Sequence, residues 1–183
     1  MKKMFTALLV SVSITTHALA ENYVDYVSVG VAMQTLQNPT NPNFNDLNFD
    51  DEKGLAIVLN AGKMLYSDIA LEFEGSASVS QTQWKLGANT GDVDFWTLGL
   101  YGAYIWRINN LSIKPRVGVV FENIKSTIKL STSTIKPNDK SDIGLSGGVG
   151  MTYNFNENYA IYSNYTKFED DMNHLTFGAE YKF

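Results

Sequence analysis

The sequence predicts an all-β fold, and more narrowly an eight-stranded antiparallel up-and-down transmembrane β-barrel. Three observations predict it. Apolar and polar residues alternate with period two in eight separate stretches. None of the apolar-parity positions named below in strands two to eight is charged, and Asp25, at the start of strand one, is the noted exception. The connections alternate between long polar segments and short turns. Successive side chains of a strand point to opposite faces, so each stretch carries one apolar and one polar face. In lipid every backbone group must be satisfied internally, and strands achieve this only in a closed barrel.

The N-terminus sets the context. Met1-Lys2-Lys3, an apolar run from Met4 to Val12 and Ala18-Leu19-Ala20 form a basic n-region, a short h-region and an A-x-A cleavage site, which is the pattern of a secretory signal. Cleavage is expected after Ala20, with residues 21–183 forming the barrel. Removing residues 1–20 from the 183 leaves 163 and takes the formal charge from −5 to −7, because Lys2 and Lys3 are lost. An acidic exported chain argues against a nucleic-acid partner. The chain has no cysteine, which excludes disulfides and Cys-based metal or redox sites. The remaining 163 residues contain no apolar run of the roughly 18 residues that a spanning helix needs. Frequent Tyr and Phe with few Pro favour strands.

Strand one is predicted from Tyr26 to Gln34, with Val27, Val29, Val31 and Met33 on one side. A long Asn-rich loop follows, 35–53. Strand two, 54–62, alternates Leu55, Ile57, Leu59 and Ala61 with Ala56, Val58 and Asn60. A short turn, 63–68, leads to strand three, where Ile69, Leu71 and Phe73 oppose Ala70, Glu72 and Glu74. A second polar stretch, 76–94, is read as loop. Strand four, 95–106, sets Trp96, Leu98, Leu100, Tyr104 and Trp106 against Thr97, Gly99, Tyr101 and Ala103. Asn109-Asn110 centres a tight turn. Strand five opposes Ile113, Pro115, Val117, Val119 and Phe121 to Lys114, Arg116, Gly118, Val120 and Glu122. A third loop, 123–142, is rich in Ser, Thr and Lys. Strand six runs 143–153 and strand seven 159–168, the latter with Tyr159, Ile161 and Tyr165 outward.

The last strand, 174–183, alternates without a break. Leu175, Phe177, Ala179, Tyr181 and Phe183 share one face, and His174, Thr176, Gly178, Glu180 and Lys182 the other. Phe177-Gly178-Ala179-Glu180-Tyr181-Lys182-Phe183, ending aromatic-x-Phe, resembles the terminal strand of small bacterial outer-membrane barrels of the OmpA/OmpX/opacity type. The resemblance covers the chain after the leader at the level of pattern. It departs from full-length OmpA in that no peptidoglycan-binding domain follows. It implies export through the periplasm to the cell outer membrane. There the protein would meet membrane lipids and lipopolysaccharide. It further implies that the barrel-assembly machinery reads Tyr181 and Phe183 as a terminal signal. The implied function is a structural or adhesive surface protein, a monomer whose outer loops could meet a host or surface ligand.

The strand charges define the best candidate site. Glu72, Glu74, Lys114, Arg116, Glu122, Glu180 and Lys182 all fall on the parity opposite the apolar face. A basic residue facing mid-bilayer lipid costs about 2–4 kcal/mol, so this parity should face the lumen. Eight strands enclose an interior just wide enough for side chains to fill. Four acids and three bases sharing it would neutralise one another as a polar plug. Arg116 is expected to pair with Glu72 or Glu180, with Lys114 and Glu74 as further members. The aromatics Trp96, Tyr104, Trp106, Tyr153, Tyr159, Tyr181 and Phe183 cluster toward predicted strand ends, where interfacial girdles belong.

Other chemistries are weaker. His174 is the single histidine after the leader and could serve a Ser–His mechanism with Ser78, Ser80, Ser141 or Ser163, near Asp170 and Asp171. A lone histidine at a strand end is more often structural, so no enzyme activity, cofactor or metal is expected. Asp46, Asp50, Asp51 and Glu52 lack the spacing of a cation loop and read as solvated charge. Lys125, Lys129, Lys136 and Lys140 give the third loop a basic character that suits phosphates or an acidic polymer. The alternative functions are a lipid-modifying enzyme or a narrow small-solute channel. A soluble lipocalin-like barrel is the alternative fold, since parity alone does not say which face points inward.

Overall fold

The computed structural model describes residues 23–36, 54–80, 82–86, 89–129, 134–135, 139–168 and 172–183. The predicted leader, the acidic stretch 46–52, Lys136, Asp170 and Asp171 lie outside the described residues. Eight strands make the wall: β1 Tyr26–Leu36, β2 Gly54–Met64, β3 Ile69–Ser78, β4 Asn89–Tyr104, β5 Leu111–Lys129, β6 Asp139–Asn154, β7 Tyr159–Phe168 and β8 Met172–Lys182. Each pairs antiparallel with its sequence neighbours. The first and last strands close the barrel from Tyr26↔Lys182 to Leu36↔Met172. Closure removes the free edges that lipid would punish. Short strands extend the wall: Thr82–Leu86 beside β4, Trp106–Ile108 in line with β4, and Thr134–Ile135 beside β5.

Burial decides between the membrane and soluble readings. Val31, Leu59, Phe73, Leu100, Val119 and Phe177 stand exposed on the outer surface, while Asn60, Glu72, Glu74, Thr97, Arg116 and Thr176 are buried inside. A soluble barrel would reverse this arrangement, because apolar area is stabilised by leaving water. Each strand presents its apolar parity outward, including Tyr159, Ile161 and Tyr165 on β7. The aromatics band the two rims. Tyr159 stacks edge-on against Tyr181 at 5.2 Å, and Tyr181 against Phe183 at 5.1 Å, at one end. Trp96 meets Phe121 at 5.3 Å at the other. Trp96 to Trp106, along β4 and the short strand in line with it, spans about 33 Å, or about 25 Å along the normal at the usual strand tilt, which matches the apolar band of an outer-membrane barrel.

Local chemistry explains the wall's irregular points. Asn109, at the tip of the β4–β5 hairpin, has φ 53°, a conformation that Asn tolerates and that suits a two-residue hairpin turn. The β4–β5 ladder runs to Ala103↔Arg116 and resumes at Trp106↔Ile113. Pro115 sits in the gap, where its missing N–H removes one rung. Ile105 instead donates to the Asp68 carbonyl on the β3 side at 2.7 Å. Asp25, the one charge on the lipid-facing parity of strand one, lies at the rim. It pairs with Lys63 at 3.0 Å and accepts from the Met64 N–H at 2.5 Å.

Two loop expectations are corrected. The polar stretch 76–94 contains the end of β3, the strand Thr82–Leu86 and the first residues of β4. The stretch 123–142 contains the end of β5, the strand Thr134–Ile135 and the start of β6. These segments continue the hairpins beyond the aromatic rim. An antiparallel ribbon outside the bilayer need not carry an apolar face, so no apolar parity marks them in the sequence.

Candidate functional site: the charged lumen

The lumen cluster is assembled by β3, β5 and β8, with β1 supplying a tyrosine. Glu72 and Glu74 face inward from β3, and Lys114 and Arg116 from β5. The strands beside β5 leave room for the two long bases. Arg116 lies opposite Ala103 on β4 and Gly148 on β6, and Lys114 lies opposite Gly150. Neither base is hemmed in by a bulky neighbour, so each can lean across the barrel.

The contacts are specific. Lys114 Nζ donates to Glu72 Oε1 at 2.6 Å, and the Tyr26 hydroxyl donates to the same oxygen at 2.6 Å. Arg116 Nη1 donates to Glu74 Oε2 at 2.5 Å and to Glu72 Oε2 at 3.4 Å. Its Nη2 donates to the Thr166 hydroxyl on β7. Lys114 also reaches Glu180 at 3.8 Å, and Glu180 in turn lies 3.7 Å from Lys182. Lys182 donates onward to the Asn154 side chain. Three carboxylates and three bases are thereby linked, with Glu72 fully enclosed. Pairing offsets the several kcal/mol that each desolvated ion costs. Glu122 is buried further outward on β5, beyond Gly118 and Val120, in register with Thr97 and Asp142.

One expected pairing is redistributed. Arg116 makes its short contact with Glu74 and a longer one with Glu72, whereas Glu180 goes to Lys114 and Lys182. Register fixed the depth of these groups, but which carboxylate a base reaches depends on how its side chain leans across the lumen. The sequence reading also missed the tyrosines. The Tyr26 ring lies under Lys114 Nζ, 5.0 Å from its centroid, and the Tyr101 ring lies under the Arg116 guanidinium at 4.4 Å. The available signal was aromatic side chains on the charged parity. Tyr26 needs Gly62, where an added Cβ would come within 2.0 Å of its ring. Gly62→Ala should therefore displace Tyr26 from Glu72 and cost about 1–3 kcal/mol in denaturant unfolding. Unchanged stability would show that the ring can shift freely.

The rest of the lumen is graded. Inside the rim that holds both described chain ends, a polar cavity of about 280 Å³ opens beside Tyr26, Arg107, Lys114, Glu180 and Lys182. Toward the other rim the interior turns apolar, with Ala56, Val58 and Phe95 in one cluster and Val120, Phe168 and Met172 in another. His174 lies buried there between the rings of Phe95 at 5.4 Å and Phe168 at 4.6 Å. Both of its ring nitrogens lack a hydrogen-bond partner, so no described serine is poised against it. Ser78 instead accepts from the Phe95 N–H, and Ser80 from the Leu55 N–H.

An inside-out barrel with an apolar belt, two aromatic rims and a charged interior defines a transmembrane β-barrel of the outer-membrane type. The chain belongs to the family described as "Outer membrane protein beta-barrel domain", whose model matches residues 5–183. Among solved structures it resembles Ail, the attachment invasion locus protein of Yersinia pestis. Identity is 17%, coverage is 87% of this chain and 99% of that one, and the TM-score is 0.63. Ail has also been solved in complex with the heparin analogue sucrose octasulfate. Neisserial surface protein A matches at 17% identity over 86% of this chain and 96% of that one, with a TM-score of 0.57. OprG from Pseudomonas aeruginosa matches at 13% identity over 87% and 96%, with a TM-score of 0.58. At these identities the likeness is one of fold. No curated protein matches the sequence.

Proposed function

We propose that this outer-membrane protein closes its own lumen and works without catalysis as a structural or adhesive surface protein, through the hairpins that it raises above the membrane. The observation that carries the reading is the length of β4, β5 and β6. β4 starts at Asn89, before Trp96, and β5 continues past Phe121 to Lys129. At about 3.3 Å per residue, each extends on the order of 25 Å along the strand beyond the aromatic rim. Strand this far into water serves no bilayer purpose, and it provides a rigid platform for a binding surface.

Lys125, Lys129 and Lys140 lie on the strands of this platform, and together with Lys136 of the intervening sequence they suit an anionic polymer or lipopolysaccharide phosphates. The sulfated ligand held by Ail supports that chemistry. Asp94 and Asp139 flank Lys125 in register, so the hairpin base is charge-balanced and the binding burden falls on the bases further out. Replacing residues 126–138 with an Asn-Gly turn should leave a heat-modifiable barrel that no longer adheres to heparin-coated surfaces. Undiminished adhesion would remove the hairpin from the function.

The leader 1–20 and the terminal signal belong to the same proposal, with insertion by the barrel-assembly machinery following export. Phe183 donates its N–H to the Asp25 carbonyl at 3.0 Å. One such bond is worth about 1 kcal/mol, too little to abolish folding. Deleting Phe183 should therefore leave stability in detergent nearly intact, yet strand the protein in the periplasm or expose it to degradation in cells. Normal surface levels of the deletion would contradict a signalling role.

A further inference from the structure

We propose that His174, Met172 and Gln34 form a binding site for a soft monovalent metal ion, Cu(I) or Ag(I), in the outer part of the lumen. Met172 and His174 are two residues apart on β8 and both point inward, with 0% and 1% exposure. Gln34, 1% exposed, stands directly opposite His174 on β1. Its amide nitrogen lies against the Met172 sulfur, and Gln34 Oε1 has no hydrogen-bond partner. Both imidazole nitrogens of His174 are also unpartnered. Buried polar atoms are nearly always satisfied, so three orphans in one corner of the lumen call for an occupant.

The chemistry of the donors selects that occupant. An imidazole nitrogen, a thioether sulfur and an amide oxygen are neutral, and the thioether is soft, which suits Cu(I) rather than calcium or magnesium. The surroundings oppose a divalent ion. Phe95 and Phe168 flank the imidazole, and Thr166, in register with His174, accepts from the Arg116 guanidinium. Neutral donors would leave both charges of a divalent ion uncompensated in an apolar site, a greater cost than the single charge of a monovalent ion.

The test is anaerobic titration of the refolded barrel in detergent with Cu(I) buffered by bicinchoninate. Wild type should take up one equivalent, with nitrogen and sulfur ligands in its X-ray absorption spectrum. Met172→Leu conserves volume and should retain the heat-modifiable fold, yet bind at least tenfold more weakly. His174→Ala should lose the site. Met151→Leu, on the lipid face, should behave as wild type. Failure of wild type to take Cu(I) from the competitor would overturn the proposal. So would equal uptake by folded Met172→Leu or His174→Ala.

Discussion

Arg116→Ala is expected to destabilise the barrel by about 3–5 kcal/mol, the cost of leaving a buried ion without its partner. The orphan would be Glu74, whose short contact at 2.5 Å comes from Arg116. Glu72 would fare better, because Lys114 and Tyr26 continue to hold it at 2.6 Å each. The pairing also predicts the rescue. Arg116→Ala combined with Glu74→Ala should recover part of the loss, and more of it than the combination with Glu72→Ala. Unfolding in urea from lipid vesicles measures all four proteins. Lys136→Ala, in the predicted third loop and outside the described residues, should change little, since loop charges typically contribute about 0–1 kcal/mol. Equal effects of Arg116→Ala and Lys136→Ala would mean that the cluster is solvated rather than enclosed.

Leu100→Arg tests the other face. Leu100 is exposed on β4, midway between Trp96 and Tyr104, and so lies near the bilayer midplane. Its guanidinium would have to sit in hydrocarbon or climb to an interface, at about 2–4 kcal/mol. Thr97→Arg, on the opposite parity, meets the lumen instead. Its penalty should be steric and should persist in detergent, where that of Leu100→Arg should shrink. Unchanged stability of Leu100→Arg in lipid would invert the assignment of faces.

What was legible in the sequence follows from where the bilayer acts. Within the membrane, lipid on one side and a narrow lumen on the other force strict alternation, so strands such as 174–183 could be read with their facing, whereas 159–168, with tyrosines on both parities, was harder to orient. Beyond the rims that constraint lapses. Residues 82–86, 89–94 and 123–129 pair as strands, but their sequence shows no apolar–polar period to read. Inside the lumen, parity identified Glu72, Lys114 and Arg116 as inward. It did not reveal that Arg116 leans to Glu74, or that Tyr26 joins Lys114 on Glu72, because those choices are made by side chains crossing between non-adjacent strands. Val58 and Val120, apolar on the charged parity, were the visible trace of the apolar outer lumen. They could be interpreted only once Phe95, Phe168 and Met172 were seen beside them.

The closed lumen is the central claim, and single-channel recording in planar bilayers tests it most directly. A lumen filled by linked ion pairs on one side and apolar side chains on the other should give little or no conductance in the wild type. Arg116→Ala with Glu74→Ala should add at most brief, small events, because Val120, Phe168 and Met172 remain in place. Large, stable open-channel steps in the wild-type protein would contradict the account and would make this barrel a channel.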